Sequence, residues 1–173
     1  VDPAYLAFFE SQVVAAAVEA FHSARPARAG LAVANARGVG TNRRDPAGPA
    51  DPEAPVLVVK ARDSEEVIAA MLVYSMHPTV LREDSSVVSA DFPGMARRYL
   101  QHSVFRSAVP VLHHTGPAGN QSPRHVISGT TVAEAERLGE MLGRAMEAVI
   151  PGIVYRDDLP LACAQSFAEL PRR

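Results

Sequence analysis

One cysteine, Cys163, and no tryptophan define the chain first by what it lacks. A single thiol excludes an internal disulfide and any zinc site built from several cysteines, so a metal here needs histidine, carboxylate or tyrosine ligands. Charge of neither sign dominates: 17 Lys and Arg face 19 Asp and Glu, for a formal net charge of −2 and a pI of about 6.3. That balance excludes the basic stripe of a nucleic-acid-binding domain. No unbroken apolar run reaches the roughly 18 residues of a membrane span, and none is expected to cross a bilayer. The longest, 67–76, is the length of a strand. There is no signal-peptide pattern, internal repeat or low-complexity tract. What is present is ordinary. With 173 residues, 47% hydrophobic and 21% charged, residues 1–173 read as a single α/β domain able to bury a core. The richness in Ala, Arg, Gly and Pro suits a GC-rich bacterial source, and Val1 in place of methionine suits a piece of a longer protein.

Periodicity supplies the elements. Asp2 followed by Pro3 is a helix start, a capping carboxylate before proline at the first helical position. Leu6, Phe9, Val13, Ala16 or Ala17, and Ala20 with Phe21 continue it at helical spacing, to an end near 23–25. "RAGLAVA" (28–34) reads as a strand. "VLVVKA" (56–61) and "VIAAMLVYSM" (67–76) read as an antiparallel pair across the polar turn "RDSEE", the second strand apolar enough to be central. "DFPGMARRYLQH" (91–102) predicts a short helix, and "AVPVLHH" (108–114) another strand. Residues 131–149 predict a helix burying Leu138, Met141, Leu142, Ala145 and Val149, and "IVYRDDLPLACAQSFAEL" (153–170) a last strand. The alternation argues for an α/β fold, a mixed β-sheet flanked by helices in a layered sandwich.

Three polar loops leave strand ends, 35–55, 77–90 and 115–130, where ligands gather in such sheets. His77 ends an apolar run and is fixed in an extended conformation by Pro78. Imidazole there is either a zinc ligand or a hydrogen-bonded strand end. Asn42, Arg43 and Arg44 are an oxyanion or carboxylate binder, or a solvated pair of arginines. "GPAGNQSPR" (116–124) offers freed backbone N–H groups, the Asn120 amide and the Ser122 hydroxyl, as an anion nest or as a simple turn. No G-x-S-x-G elbow surrounds Ser122. His113 and His114 face opposite sides of a strand, so at most one of them can join His77. His22, His102 and His125 carry no signal.

The order "TNRR", "VYSMHPTVL", "VVSADFPGMARRYL", "GPAGNQSPR" resembles the N-terminal catalytic domain of the neutral, non-lysosomal ceramidase family, over most of residues 28–130. The resemblance implies a zinc amidohydrolase, in which a metal-activated water attacks the amide of an N-acyl sphingoid base or another N-acyl substrate. It makes His77 a zinc ligand and Arg43 a catalytic group steadying the developing oxyanion. Asn42 and Asn120 become substrate-binding residues, and Ser122 a catalytic or loop-shaping one. The family's remaining zinc ligands fall in motifs outside these 173 residues. A secreted or membrane-peripheral location goes with the family. The alternatives are an α/β binding domain that has kept the fold and lost the metal, and a serine hydrolase using Ser122.

Overall fold

The computed structural model describes residues 2–169. Helix α1 (Pro3–His22) is followed by strand β1 (Ala27–Asn35), a two-residue strand β2 (Thr41–Asn42), and the long strands β3 (Glu53–Ala61) and β4 (Val67–Tyr74). Helix α2 (Asp91–Tyr99), strand β5 (Val111–Thr115), a second two-residue strand β6 (Gln121–Ser122) and helix α3 (Val132–Val149) complete it. The main sheet has the order β1-β3-β4-β5, antiparallel except for the parallel pair β4–β5. It is the mixed sheet of an α/β fold, with β4 in its interior as its apolar sequence requires.

Strand alternation decides which side chains are covered. One face carries rows such as Gly30, Val58, Ala70 and Val111, and beside it Ala32, Val56, Leu72 and His113. Helix α3 packs on β1 and β3 over this face, and α2 packs on α3 and on β5. Tyr74, Phe92, Leu72, Leu138, Leu142 and Met146 are fully buried between the layers. The opposite face carries Leu31, Leu57, Met71 and Leu112 in one cross-sheet row. No helix lies over that row among the described residues, and Leu31 and Leu112 remain about 60% and 57% exposed.

Helix α1 has the expected bounds and cap: Asp2 Oδ1 accepts from Ala4 N at 2.9 Å. Its apolar spacing does not define a buried stripe, because no residue of it is buried and Phe8, Val14 and Phe21 stand in the open. The expectation of no membrane-length segment meets one weak counter-signal here. α1 is long and apolar enough to cross a membrane by length and composition, although a core helix or a leader passes the same test. The run escaped notice because Glu10, Ser11, Gln12 and Glu19 interrupt it.

Two further expectations shift. The helix expected over 91–102 is α-helical to Tyr99 and widens into a π-helical turn, Leu100–Phe105, ended by Arg106 in the left-handed region at φ 51°. The expected strand over 153–170 reduces to one bridge. Arg156 N donates to Ala29 O at 2.9 Å and Ala29 N to Arg156 O at 2.8 Å, with irregular backbone beyond. Leu170 lies outside the described residues. The tail crosses β1 at Gly30, where a Cβ would collide with Ile153 and with Val154 O at 2.6 Å.

On α3 the buried face is Ala135, Leu138, Gly139, Leu142, Gly143 and Met146, so Met141, Ala145 and Val149 sit at its margin. The glycines explain the rotation. At Gly139 a Cβ would meet Ala96 N at 2.7 Å and Phe92 O at 2.8 Å, so α2 lies against the bare backbone. Periodicity scored the larger side chains and missed a face built on small ones. Because the obstacle is helix backbone, Gly139→Ala is expected to destabilise the fold by about 1–3 kcal/mol, and an exposed control, Gly152→Ala, by less than a third of that. Urea unfolding of both variants checks this.

Candidate functional site

The three polar loops meet at the ends of β4 and β5, and the join is built from backbone. β2 pairs antiparallel with β6, Thr41 opposite Ser122 and Asn42 opposite Gln121, which fastens loop 35–55 to loop 115–130. Arg43 N donates to Asn120 O at 2.7 Å just beyond that pair. The third loop joins through His77, whose N–H donates to Gln121 O at 3.2 Å. Gln121 is buried, and its Oε1 accepts from Asp51 N at 2.9 Å. Asp51 Oδ2 in turn accepts from the hydroxyl of buried Ser75 at 3.0 Å.

Loop 77–90 has an anchor of its own. Asp91 is buried at φ 51°, a conformation that costs a non-glycine residue energy and that Asp tolerates better than most. Its carboxylate accepts from Leu81 N at 2.9 Å and from Phe92 N at 2.7 Å, tying the loop to the start of α2. Loop 115–130 is clamped to α3. Glu134 accepts from Ser128 N at 3.2 Å and from Arg137 at 2.8 and 3.1 Å, while Arg137 reaches back to Val126 O at 2.6 Å.

Between the loops lies an open cavity of about 480 Å³ lined by Arg43, His77 and Ser122. These three, from three loops, are brought together. Asn42 and Asn120 are not. Both amides donate to the same carbonyl, Pro49 O, at 2.9 and 2.7 Å, and Asn42 Oδ1 accepts from Arg44 N at 3.0 Å. Neither lines the cavity. An Asx turn and a shared carbonyl occupy both side chains, which shape the loop. Arg44 is exposed and stays outside the cavity as well.

The sequence reading missed Arg82, Glu83 and Arg124, which also line the cavity. Their only signal was a place inside the polar loops. It also passed over His125, whose Nε2 lies 3.2 Å from Arg43 O. His113 is confined to the core side, edge-on to Phe92 at 6.0 Å, with Nε2 unpartnered among the described residues. Burial holds its pKa below the usual histidine value, helped by His114 and Arg97.

The His77 ring is held as well as placed. Nδ1 is 3.3 Å from Gln121 O, and a carbonyl can only accept there. In the neutral ring Nδ1 then carries the proton, and Nε2 is the nitrogen that keeps its lone pair. Metal-ligating histidines are commonly held by such a carbonyl. The residues do not, however, amount to a zinc site. Among the described residues no three His, Cys, Asp or Glu side chains gather in a way that could hold a metal ion, so His77 fits as a single ligand. Ser122 Oγ accepts from Arg124 N at 3.3 Å, and among the described residues no imidazole or carboxylate accepts its proton. A serine nucleophile needs such a base.

An α/β sheet whose strand-end loops enclose a cationic, histidine-bearing cavity is the class that fold and site define. Compared with solved structures, the chain is similar to a ceramidase solved in complex with C2, at 19% identity and a TM-score of 0.63 over 73% of this chain. It is similar to the neutral ceramidase from Pseudomonas aeruginosa, at 19% identity and a TM-score of 0.61 over the same share. The fold is ceramidase-like. The chain spans 22% and 23% of the length of those two proteins. No protein-family profile matches it, and no curated protein sequence does.

Two outcomes follow from the anchors. Asp91→Ala leaves Leu81 N without its acceptor and is expected to cost about 1–3 kcal/mol, with Asp91→Asn, which keeps one acceptor and tolerates positive φ, costing less; urea unfolding separates them. The Glu134 carboxyl is held down to about 2, mainly by the hydrogen bond from Arg137, against an ordinary value of 4.5. A depressed folded pKa stabilises fully above the ordinary value and is lost as pH falls toward the folded one. Glu134→Gln is therefore expected to flatten the loss of stability between roughly pH 4.5 and 2, read from unfolding midpoints across that range.

Proposed function

We propose that this chain forms part of the active site of a ceramidase-like amidohydrolase that cleaves the amide of N-acyl substrates, N-acyl sphingoid bases among the candidates. The observation that carries the reading is the convergence of Arg43, His77 and Ser122 on one cavity of a ceramidase-like fold. The neighbour solved with C2 favours an N-acyl lipid as the substrate class.

In this reading Arg43 is the catalytic residue of the chain. Its backbone is pinned by Asn120 O at 2.7 Å and the residue lines the cavity. A fixed cation stabilises the oxygen of a tetrahedral intermediate more than the carbonyl of the ground state, and that difference is what accelerates the reaction. His77 presents Nε2 from a ring locked by Gln121 O. Zinc belongs to the proposal with His77 as the donor this chain contributes and the remaining ligands supplied from outside it. A zinc ion bound there supplies Lewis acidity toward the amide and a water more acidic than bulk water. Ser122 keeps a loop-shaping role, because it accepts from Arg124 N and has no base to activate it.

The test is metal analysis and amide hydrolysis on the protein that carries this chain, with a short-chain N-acyl sphingoid base as substrate. His77→Ala is expected to lose bound zinc and activity together. Arg43→Ala is expected to keep the zinc and lower kcat by about 10²–10³-fold. Undiminished zinc and turnover in His77→Ala would falsify the reading. Covalent labelling of Ser122 by a serine-directed probe would replace it with the serine-hydrolase alternative.

A further inference from the structure

The cavity carries more positive charge than an amide alone calls for. Arg43, Arg82 and Arg124 line it, one arginine from each of the three loops. Among the described residues none of the three takes part in an ion pair, although eight such pairs occur elsewhere on the chain. Against them the cavity wall has one carboxylate, Glu83. A single developing oxyanion is served by Arg43, which leaves Arg82 with no side-chain partner among the described residues and Arg124 with one long hydrogen bond, donated to Arg43 O at 3.5 Å. Like charges gathered around a concave surface repel one another, and the arrangement is relieved by an anion that all of them face. Guanidinium groups suit carboxylate and phosphate oxygens, to which they donate in pairs.

The rest of the wall agrees. Thr79 and Ser122 add hydroxyls, and every side chain lining the cavity is polar or charged. A long acyl chain meets a lining there that is mostly polar. The cavity therefore takes the polar end of a substrate, and at about 480 Å³ it accommodates a head group of ordinary small-molecule size.

We propose that the substrate carries a second oxyanion, a carboxylate or phosphate on the amine side of the amide, held by Arg82 and Arg124 while Arg43 faces the scissile carbonyl. This rests on the amidohydrolase reading for the amide and on the arginines for the charge. No covalent step is added. Arg82 and Arg124 act as substrate-binding residues and determine specificity by charge.

Calorimetric titration of the protein that carries this chain, at low ionic strength, tests it with three probes: N-acetylglycine, O-phosphorylated N-acetylethanolamine and the uncharged N-acetylglycinamide. The anionic probes are expected to bind at least about tenfold tighter than the neutral one, with 0.5 M salt removing most of the difference. Arg82→Gln and Arg124→Gln are each expected to weaken anion binding by about tenfold, with circular dichroism and melting temperature unchanged. The tighter of the two anions identifies the head group as carboxylate or phosphate. Equal binding of neutral and anionic probes, or anion binding untouched in both variants, overturns the proposal. Hydrolysis by the protein carrying this chain is read separately. Neutral amides cleaved as fast as anionic ones overturn the charge inference and leave the amidohydrolase standing. Anion-selective binding without amide cleavage keeps the anion site and overturns the amidohydrolase.

Discussion

The backbone carbonyl of Gln121 holds the site together. It accepts the His77 N–H at 3.2 Å, lies 3.3 Å from the same residue's Nδ1, and belongs to the short strand that pairs with β2. One buried residue thus sets the distance between the loop that carries Arg43 and the loop that carries His77, and selects the tautomer of the imidazole. A buried carbonyl without donors is costly, so the loops gain by closing on it. Asp51 N on the Gln121 side chain, and the Asn42 and Asn120 amides on Pro49 O, extend the same logic outward. A polar network of this kind positions groups well because each member has few alternative partners.

The layers below give that network a rigid base. α2 and α3 approach each other at Gly139 and Gly143 and cover one face of the sheet, which fixes the direction in which β4 and β5 end. Asp91 then converts the start of α2 into an anchor for loop 77–90, so helix packing and site geometry share a residue. The other sheet face and helix α1 present apolar side chains to solvent in the described residues. Their exposure is greater than isolated surface leucines would account for.

Much of the fold was legible because it follows from local rules. Asp2 and Pro3 start a helix, the β3–β4 hairpin follows from alternating apolar residues around "RDSEE", and Thr131 caps α3 by accepting from Glu134 N at 3.3 Å. What misled the reading was also local. Large side chains on α3 drew attention from the glycines that lie against α2, and apolar residues near the tail suggested a strand where a single bridge forms. At the site, the type of residue was informative about which groups would line the cavity for Arg43 and His77. For Asn42 and Asn120 it was not, since an amide can bind substrate or a backbone carbonyl, and only position tells which.

The sequence by itself determined the main helices and long strands, their order, and the presence of three polar loops at strand ends, because dihedral preference and apolar period act over a few residues. The tertiary structure decided which side chains share a cavity, that Arg82 and Arg124 join Arg43 and His77 there, and that the two asparagines do not. Those outcomes depend on contacts between residues more than 30 positions apart, such as Arg43 with Asn120 and His77 with Gln121. Such contacts form only once the sheet has brought its loops to one end, and no local rule encodes them.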